Sequence, residues 1–164
     1  MARNIIFKTL IDILFIFQGF GILGAFLIMP FGVTNINQMD LNLIQWNVMD
    51  WSLLILSVLA FIFFMIGVLF LRKVGRYLLS NQYFAIEVVN NLKISGRLFI
   101  CTGIISLSVF IISWIVKLNS DKALLYYTDV VLPVFITIVG LFFIIQSDVI
   151  MVSKETKEEN DLTI

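Results

Sequence analysis

The chain has 164 residues, 60% of them hydrophobic and 13% charged, and its 11 acids balance its 11 bases. A soluble domain carries nearer a quarter charged residues and under half apolar ones, so this composition excludes an ordinary water-soluble fold and points to lipid. With no histidine and a single cysteine, Cys101, it also excludes internal disulfides, Cys/His zinc sites and Ser-His or Cys-His catalytic pairs.

Crossing about 30 Å of hydrocarbon takes roughly 20 helical residues. The first run that long is 5–29, stopped by Pro30 and Gly32. Its basic start, Arg3 with Lys8 beyond, resembles the head of a signal peptide. The apolar run is too long for one and shows no small-residue cleavage site, so it is read as a retained span. Residues 31–50 form a polar loop with Asp40 and Asp50 and no Lys or Arg; Trp46 and Trp51 suit headgroup level. The second span, 51–71, holds no charge. Residues 72–97 then carry five of the 11 basic residues (Arg72, Lys73, Arg76, Lys93, Arg97) and one acid, Glu87. The third span is 98–116, followed by a short loop with Lys117, Asp121, Lys122 and Asp129. The fourth span is 130–149, and the tail, 150–164, is polar and mixed in charge.

Orientation follows Lys and Arg. The N-terminus, the middle interval and the tail hold nine of them, the other two loops two. The predicted fold is therefore all-α: a single integral membrane four-helix bundle with both termini cytoplasmic and a cytoplasmic amphipathic helical hairpin at 72–97. Apolar burial cannot drive association between helices already in lipid, so small residues and interhelical hydrogen bonds are expected at the contacts. Candidates are Gly21 and Ala25 in the first span, Ala60 and Gly67 in the second, Gly96, Gly103, Ser106 and Ser113 around the third, and Pro133, Thr137, Gly140 and Ser147 in the fourth. Phe, Ile and Leu are expected to face outward. Pro133 is placed near the outer end of its helix, where a missing donor costs little.

Gly19, Gly21 and Gly24 spell GxGxxG, but no strand precedes them and they lie in mid-span, so helix packing explains them better than nucleotide binding. Asp12 lies about two turns into the first span, roughly 10 Å from its start. A carboxylate there is costly unless paired, protonated or wetted. Asp12 and Gln18, with Gln146 and Asp148 at the same end of the fourth span, can be read as polar rungs of a proton or cation route. They can equally be read as charge clamps, since Lys8 is one turn from Asp12 and Arg72, Arg76 and Arg97 emerge at the same face. Cys101 reads as a small packing residue. No catalytic set, cofactor or metal site is assigned. Two acids alone make weak evidence for an aspartyl dyad, and the serines of the third span lack a base.

In the middle interval, the second helix is expected to run to about Leu79 and break at Ser80, Asn81 and Gln82, with Ser80 or Asn81 as N-cap of the next. On that next helix Phe84, Ala85, Val88, Val89 and Leu92 share one face, and Glu87, Asn90, Asn91 and Lys93 the other. The apolar stripe either packs on the membrane surface or on Val74, Tyr77 and Leu78, or it docks a partner. For docking, the surface is Phe84, Val88 and Leu92 with Arg76 and Lys93. Direct nucleic-acid binding by five charges beside anionic lipid is not expected.

Two local patterns resemble a bacterial family of small four-span proteins filed as domain of unknown function 2975. One is a phenylalanine after a cytoplasmic turn, a leucine eight residues on and a glycine four beyond, here Phe84, Leu92 and Gly96. The other is the end Glu159, Asn160, Asp161, Leu162, Thr163 and Ile164. The chain departs from the family in Asn81, Gln82 and Tyr83, where Gly-x-Pro is common, and in Val88, where asparagine is common. The resemblance implies a multi-pass protein of a bacterial plasma (inner) membrane with no assigned reaction. It also implies association with a small helix-turn-helix regulator, because members are commonly encoded beside one. Two functions are carried forward. One is a non-enzymatic regulatory protein that docks a cytosolic partner. The other is a small proton- or ion-coupled transporter or channel subunit using Asp12 and Asp148. A homo-oligomer is left open.

Overall fold

A computed structural model of the chain describes residues 2–28, 48–118 and 127–162. Asp40, Trp46 and the loop residues 121 and 122 lie outside the described residues, as do the side chains of Ala25, Asp50, Lys117 and Asp129. Four helices follow in order: α1 (Ala2–Ile28), α2 (Val48–Leu79), α3 (Ile86–Leu118) and α4 (Tyr127–Leu162). Among the described residues there is no strand. All four are long and apolar enough to cross a membrane, which marks a multi-pass membrane protein.

Each helix outruns the bilayer. At 1.5 Å per residue, α2 and α3 reach about 48–50 Å and α4 about 54 Å, against roughly 30 Å of hydrocarbon. The tail is therefore an extension of α4 up to Leu162. Its Lys154, Glu155, Lys157, Glu158 and Glu159 are the i, i+3 and i+4 charges that suit a helix in water. Lys157 Nζ lies 5.8 Å from the Phe84 ring centre. At the start of α1, Asn4 Nδ2 donates to the Leu78 carbonyl oxygen at 3.0 Å and to the Tyr83 hydroxyl at 2.8 Å. Both ends of the chain thus share one end of the molecule with the α2–α3 turn.

The turn closes differently from the expectation. Asn81 has φ of 58°, and Gln82 N–H donates to the Tyr77 carbonyl at 3.1 Å, a Schellman-type closure of α2. The Ser80 hydroxyl donates to the same carbonyl at 2.9 Å. Ser80 and Asn81 therefore terminate α2 and do not cap α3, which begins only at Ile86. Asparagine suits the left-handed position because its short polar side chain tolerates it.

Helices pack in succession, α1 on α2, α2 on α3 and α3 on α4. Among the described residues no close backbone approach joins α1 to α4. The shared core is Ile11, Val68, Leu71, Val74, Val88, Leu92 and Phe99, lined further by Phe143 and Ile150. Most of it sits near the turn end. Ile, Leu and Phe residues otherwise face outward along every helix, as expected of a lipid-facing surface.

α3 is the central helix and carries two seven-residue rows one position apart. Val88, Ser95 and Thr102 are buried towards α2, where Ser95 Oγ donates to the Gly67 carbonyl at 2.9 Å. In the other row Val89 is buried, and Gly96 and Gly103 turn towards α4. A β-carbon at Gly96 would stand 2.6 Å from the Gly140 carbonyl oxygen, and one at Gly140 would stand 2.7 Å from that of Gly96. A β-carbon at Gly103 would collide with the Thr137 hydroxyl and lie 2.7 Å from the Pro133 carbonyl oxygen. This is backbone-to-backbone packing that only glycine permits. Pro133 lies past the first turn of α4, which begins at Tyr127, and it is buried at this contact. Its carbonyl accepts from Thr137 Oγ1 at 2.9 Å.

The glycines of α1 do not form such a seam. Gly19 and Gly24 have no neighbour within 4 Å of an added β-carbon, and Gly21 meets only the tip of Phe61 at 3.9 Å. Among the described residues only Gly21 packs, in ordinary contact with Phe61 of α2, and the helix is unbroken from Ala2.

Candidate functional site

Charge and polarity gather at the turn end. Arg72 closes the uncharged run of α2, and the antiparallel α1 sets Asp12 beside it. Arg72 Nε donates to Asp12 Oδ1 at 2.5 Å, and Lys8 Nζ stands 3.4 Å from Oδ2. The guanidinium also lies 5.4 Å from the centre of the Phe15 ring. Asp12 is thus level with the end of the α2 apolar run, while along α1 it lies about two turns into the candidate span Asn4–Gly21, as expected. On α3 and α4, Lys93 Nζ and Asp148 Oδ1 are 3.1 Å apart. Arg72 and Lys93 both lie on the turn side of the Ser95–Gly67 bond, so the two ion pairs tie α1 to α2 and α3 to α4 near one end. Asp12 has two cations and Asp148 one, and none is shared between them.

Gln18 is 7% exposed, and neither its amide nitrogen nor its oxygen has a hydrogen-bond partner among the described residues. The same holds for the fully buried Ser147 hydroxyl. Burying such groups unpaired costs about 1–3 kcal/mol each. Gln146 is half-buried. Among the described residues no hydrogen bond links any two of Asp12, Gln18, Gln146 and Asp148. They do not form a connected file.

The proposed docking residues separate. Val88 and Leu92 are 0% and 7% exposed and belong to the core, so they cannot face a partner. Of the placements left open for the stripe, Val88 and Leu92 take the packed one, in one core with Val74 and beside Tyr77 and Leu78. Phe84 is exposed beside Lys157, Arg76 is exposed, and Lys93 is held by Asp148. Tyr83 and Ile86, which sequence reasoning did not single out as surface, are exposed next to Phe84.

Two cavities accompany these groups. One, of about 490 Å³, is lined by Lys73, Arg76, Tyr77, Ser80, Gln82 and Asn91 at the turn. Another, of about 550 Å³, opens between α2, α3 and α4 towards the other end, lined mainly by apolar groups such as Phe61, Phe64 and Phe110 with Ser106 and Pro133. Sequence reading found Arg76 as a basic residue but missed the turn cavity, since Asn91 comes to it from the facing helix. The i, i+3, i+4, i+7 spacing of Lys73, Arg76, Tyr77 and Ser80 was the available signal. Among the described residues no three His, Cys, Asp or Glu side chains converge as metal ligands. Cys101 sits on an exposed face of α3.

No curated protein and no solved structure matches the chain. A family described as protein of unknown function (DUF2975) matches residues 34–164. That stretch contains α2, α3 and α4, the tightly packed trio, and leaves α1 outside. It includes Phe84, Leu92 and Gly96 and the acidic end 159–164, and the chain belongs to this family.

Proposed function

We propose that the protein is a non-enzymatic, multi-pass protein of a bacterial plasma membrane that holds a cytosolic protein at its turn end. The excess of Lys and Arg in the segments at that end supports a cytosolic orientation. The observation that carries the reading is the overshoot of α2, α3 and α4 beyond bilayer length. They extend as one packed platform, with α4 reaching Leu162 and Lys157 lying over Phe84. Tyr83, Phe84 and Ile86 expose apolar surface at its tip, 40%, 45% and 38% respectively, beside the charged flank of α4. A helix-turn-helix regulator of the kind the family resemblance implies is the partner class to test first. In-cell crosslinking and purification of the full chain should recover a cytosolic protein that is lost with Phe84→Asp plus Ile86→Asp. It should be kept with Val48→Asp, a change at the opposite end. An unchanged set of partners in the tip variant refutes the reading.

The unpaired amide of Gln18 favours a second reading, ion or proton conduction past α1. It requires a flux into proteoliposomes under an imposed gradient that Gln18→Leu and Asp12→Asn abolish. The cation partners of Asp12 and Asp148 rank it second.

A further inference from the structure

We propose that the cavity at the α2–α3 turn is a binding site for the phosphodiester headgroup of an anionic phospholipid. This is independent of whether a cytosolic protein docks at the tip. Lys73, Arg76 and Tyr77 form one stripe of α2, Ser80 and Gln82 come from the turn and Asn91 from α3. All six side chains can donate hydrogen bonds, and no carboxylate is among them. Its volume of about 490 Å³ exceeds a single phosphate and falls in the roughly 300–1,000 Å³ range of small-molecule sites.

Lys8, Arg72, Lys93 and Lys154 each sit on a carboxylate. Lys73 and Arg76 are among the described basic residues that no ion pair compensates, as Arg97 is, and the cavity brings these two together. Two uncompensated cations one turn apart, facing amide and hydroxyl donors, suit an oxyanion with several acceptor oxygens. The position selects a lipid over a soluble phosphate compound. Lys73 follows directly on the apolar run of α2, and its ammonium lies 4.7 Å from the centre of the Phe70 ring. The stem lies along the apolar surface while the head reaches headgroup level. Leu69, just below, is exposed and offers a path for an acyl chain.

Native mass spectrometry of the full-length protein in detergent, with phosphatidylglycerol or phosphatidylcholine of the same chains, tests this. Wild type should retain phosphatidylglycerol preferentially. Lys73→Gln with Arg76→Gln should weaken that retention about thirty-fold, from roughly five-fold per cation near a membrane surface. Asn91→Ala, which leaves the charge unchanged and changes the facing helix, should weaken it as well. Lys154→Gln with Lys157→Gln removes the same charge elsewhere and should leave retention as in wild type. Equal retention of the two lipids overturns the proposal, as does an equal loss in the Lys154/Lys157 variant. Complete displacement of the lipid by glycerophosphoglycerol or inorganic phosphate at equal concentration would assign the site to a soluble phosphate compound and overturn the lipid assignment. Helical circular dichroism on each variant separates a lost site from a lost fold, and Asn91→Ala keeps the proposal testable if the double charge variant does not fold.

Discussion

Replacing Gly96 with alanine probes the α3–α4 seam at its tightest point. The new methyl carbon would lie 2.6 Å from the Gly140 carbonyl oxygen, 2.8 Å from Ile144 Cγ1 and 3.1 Å from the Ile144 nitrogen. An unstrained C···O contact is about 3.3 Å, so the helices must part locally by roughly 0.7 Å. Two of the three obstacles are backbone atoms, which cannot rotate away. A gap of that size forfeits a quarter to a half of each neighbouring dispersion contact, and overpacking a close contact costs about 1–3 kcal/mol. Alanine recovers about 0.5–1 kcal/mol through backbone entropy in a helix. The net expectation is a loss of about 1–2 kcal/mol. SDS titration of folded protein in mixed micelles, followed by helical ellipticity, measures it. Gly19→Ala and Gly24→Ala are the controls: an added β-carbon meets nothing within 4 Å at either, so neither should destabilise. Gly140→Ala opens the same gap from the other side, so the double variant should cost less than the sum of the two. A Gly96→Ala protein as stable as wild type would refute the close-contact account of this bundle.

At the turn, Asn81→Gly should leave stability unchanged or slightly raised and Asn81→Ala should lower it by about 1 kcal/mol, because φ is 58° there; equal effects in the same titration would remove the left-handed closure. Asp12→Asn and Arg72→Gln, taken singly and together, should give a coupling of about 0.5–1 kcal/mol, modest because both side chains are partly exposed; zero coupling in the double-mutant cycle would show that the pair does not hold α1 to α2. Gln18→Leu should stabilise the fold by up to about 1–2 kcal/mol by removing a buried amide without partners; destabilisation would show that the amide is satisfied by a group not among the described residues.

Much of the architecture was legible because lipid imposes a simple rule. Every backbone polar group must be satisfied within its own helix, so four apolar runs of sufficient length already dictate four helices. The end of α2 at Leu79 and the small residues Gly67, Gly96, Gly103, Pro133, Thr137, Gly140 and Ser147 at contacts followed from local chemistry and spacing alone. Lys8 one turn from Asp12 likewise announced part of the clamp. What stayed hidden depended on which helix lies beside which. From sequence, Val88 and Leu92 fit either packing on Val74, Tyr77 and Leu78 or docking a partner. They share one core with Val74, the packed alternative, and periodicity alone could not choose between the two. Gly19, Gly21 and Gly24 look like a packing seam, yet α1 meets α2 chiefly through Lys8, Ile11 and Asp12, and of the three glycines only Gly21 touches it, at Phe61. The Lys93–Asp148 pair and the arrival of Asn91 opposite Arg76 join residues from separate helices, and only their register sets them together. Span number and polarity are properties of single segments, which composition carries. Surfaces and sites belong to pairs of segments, and tertiary packing alone decides them.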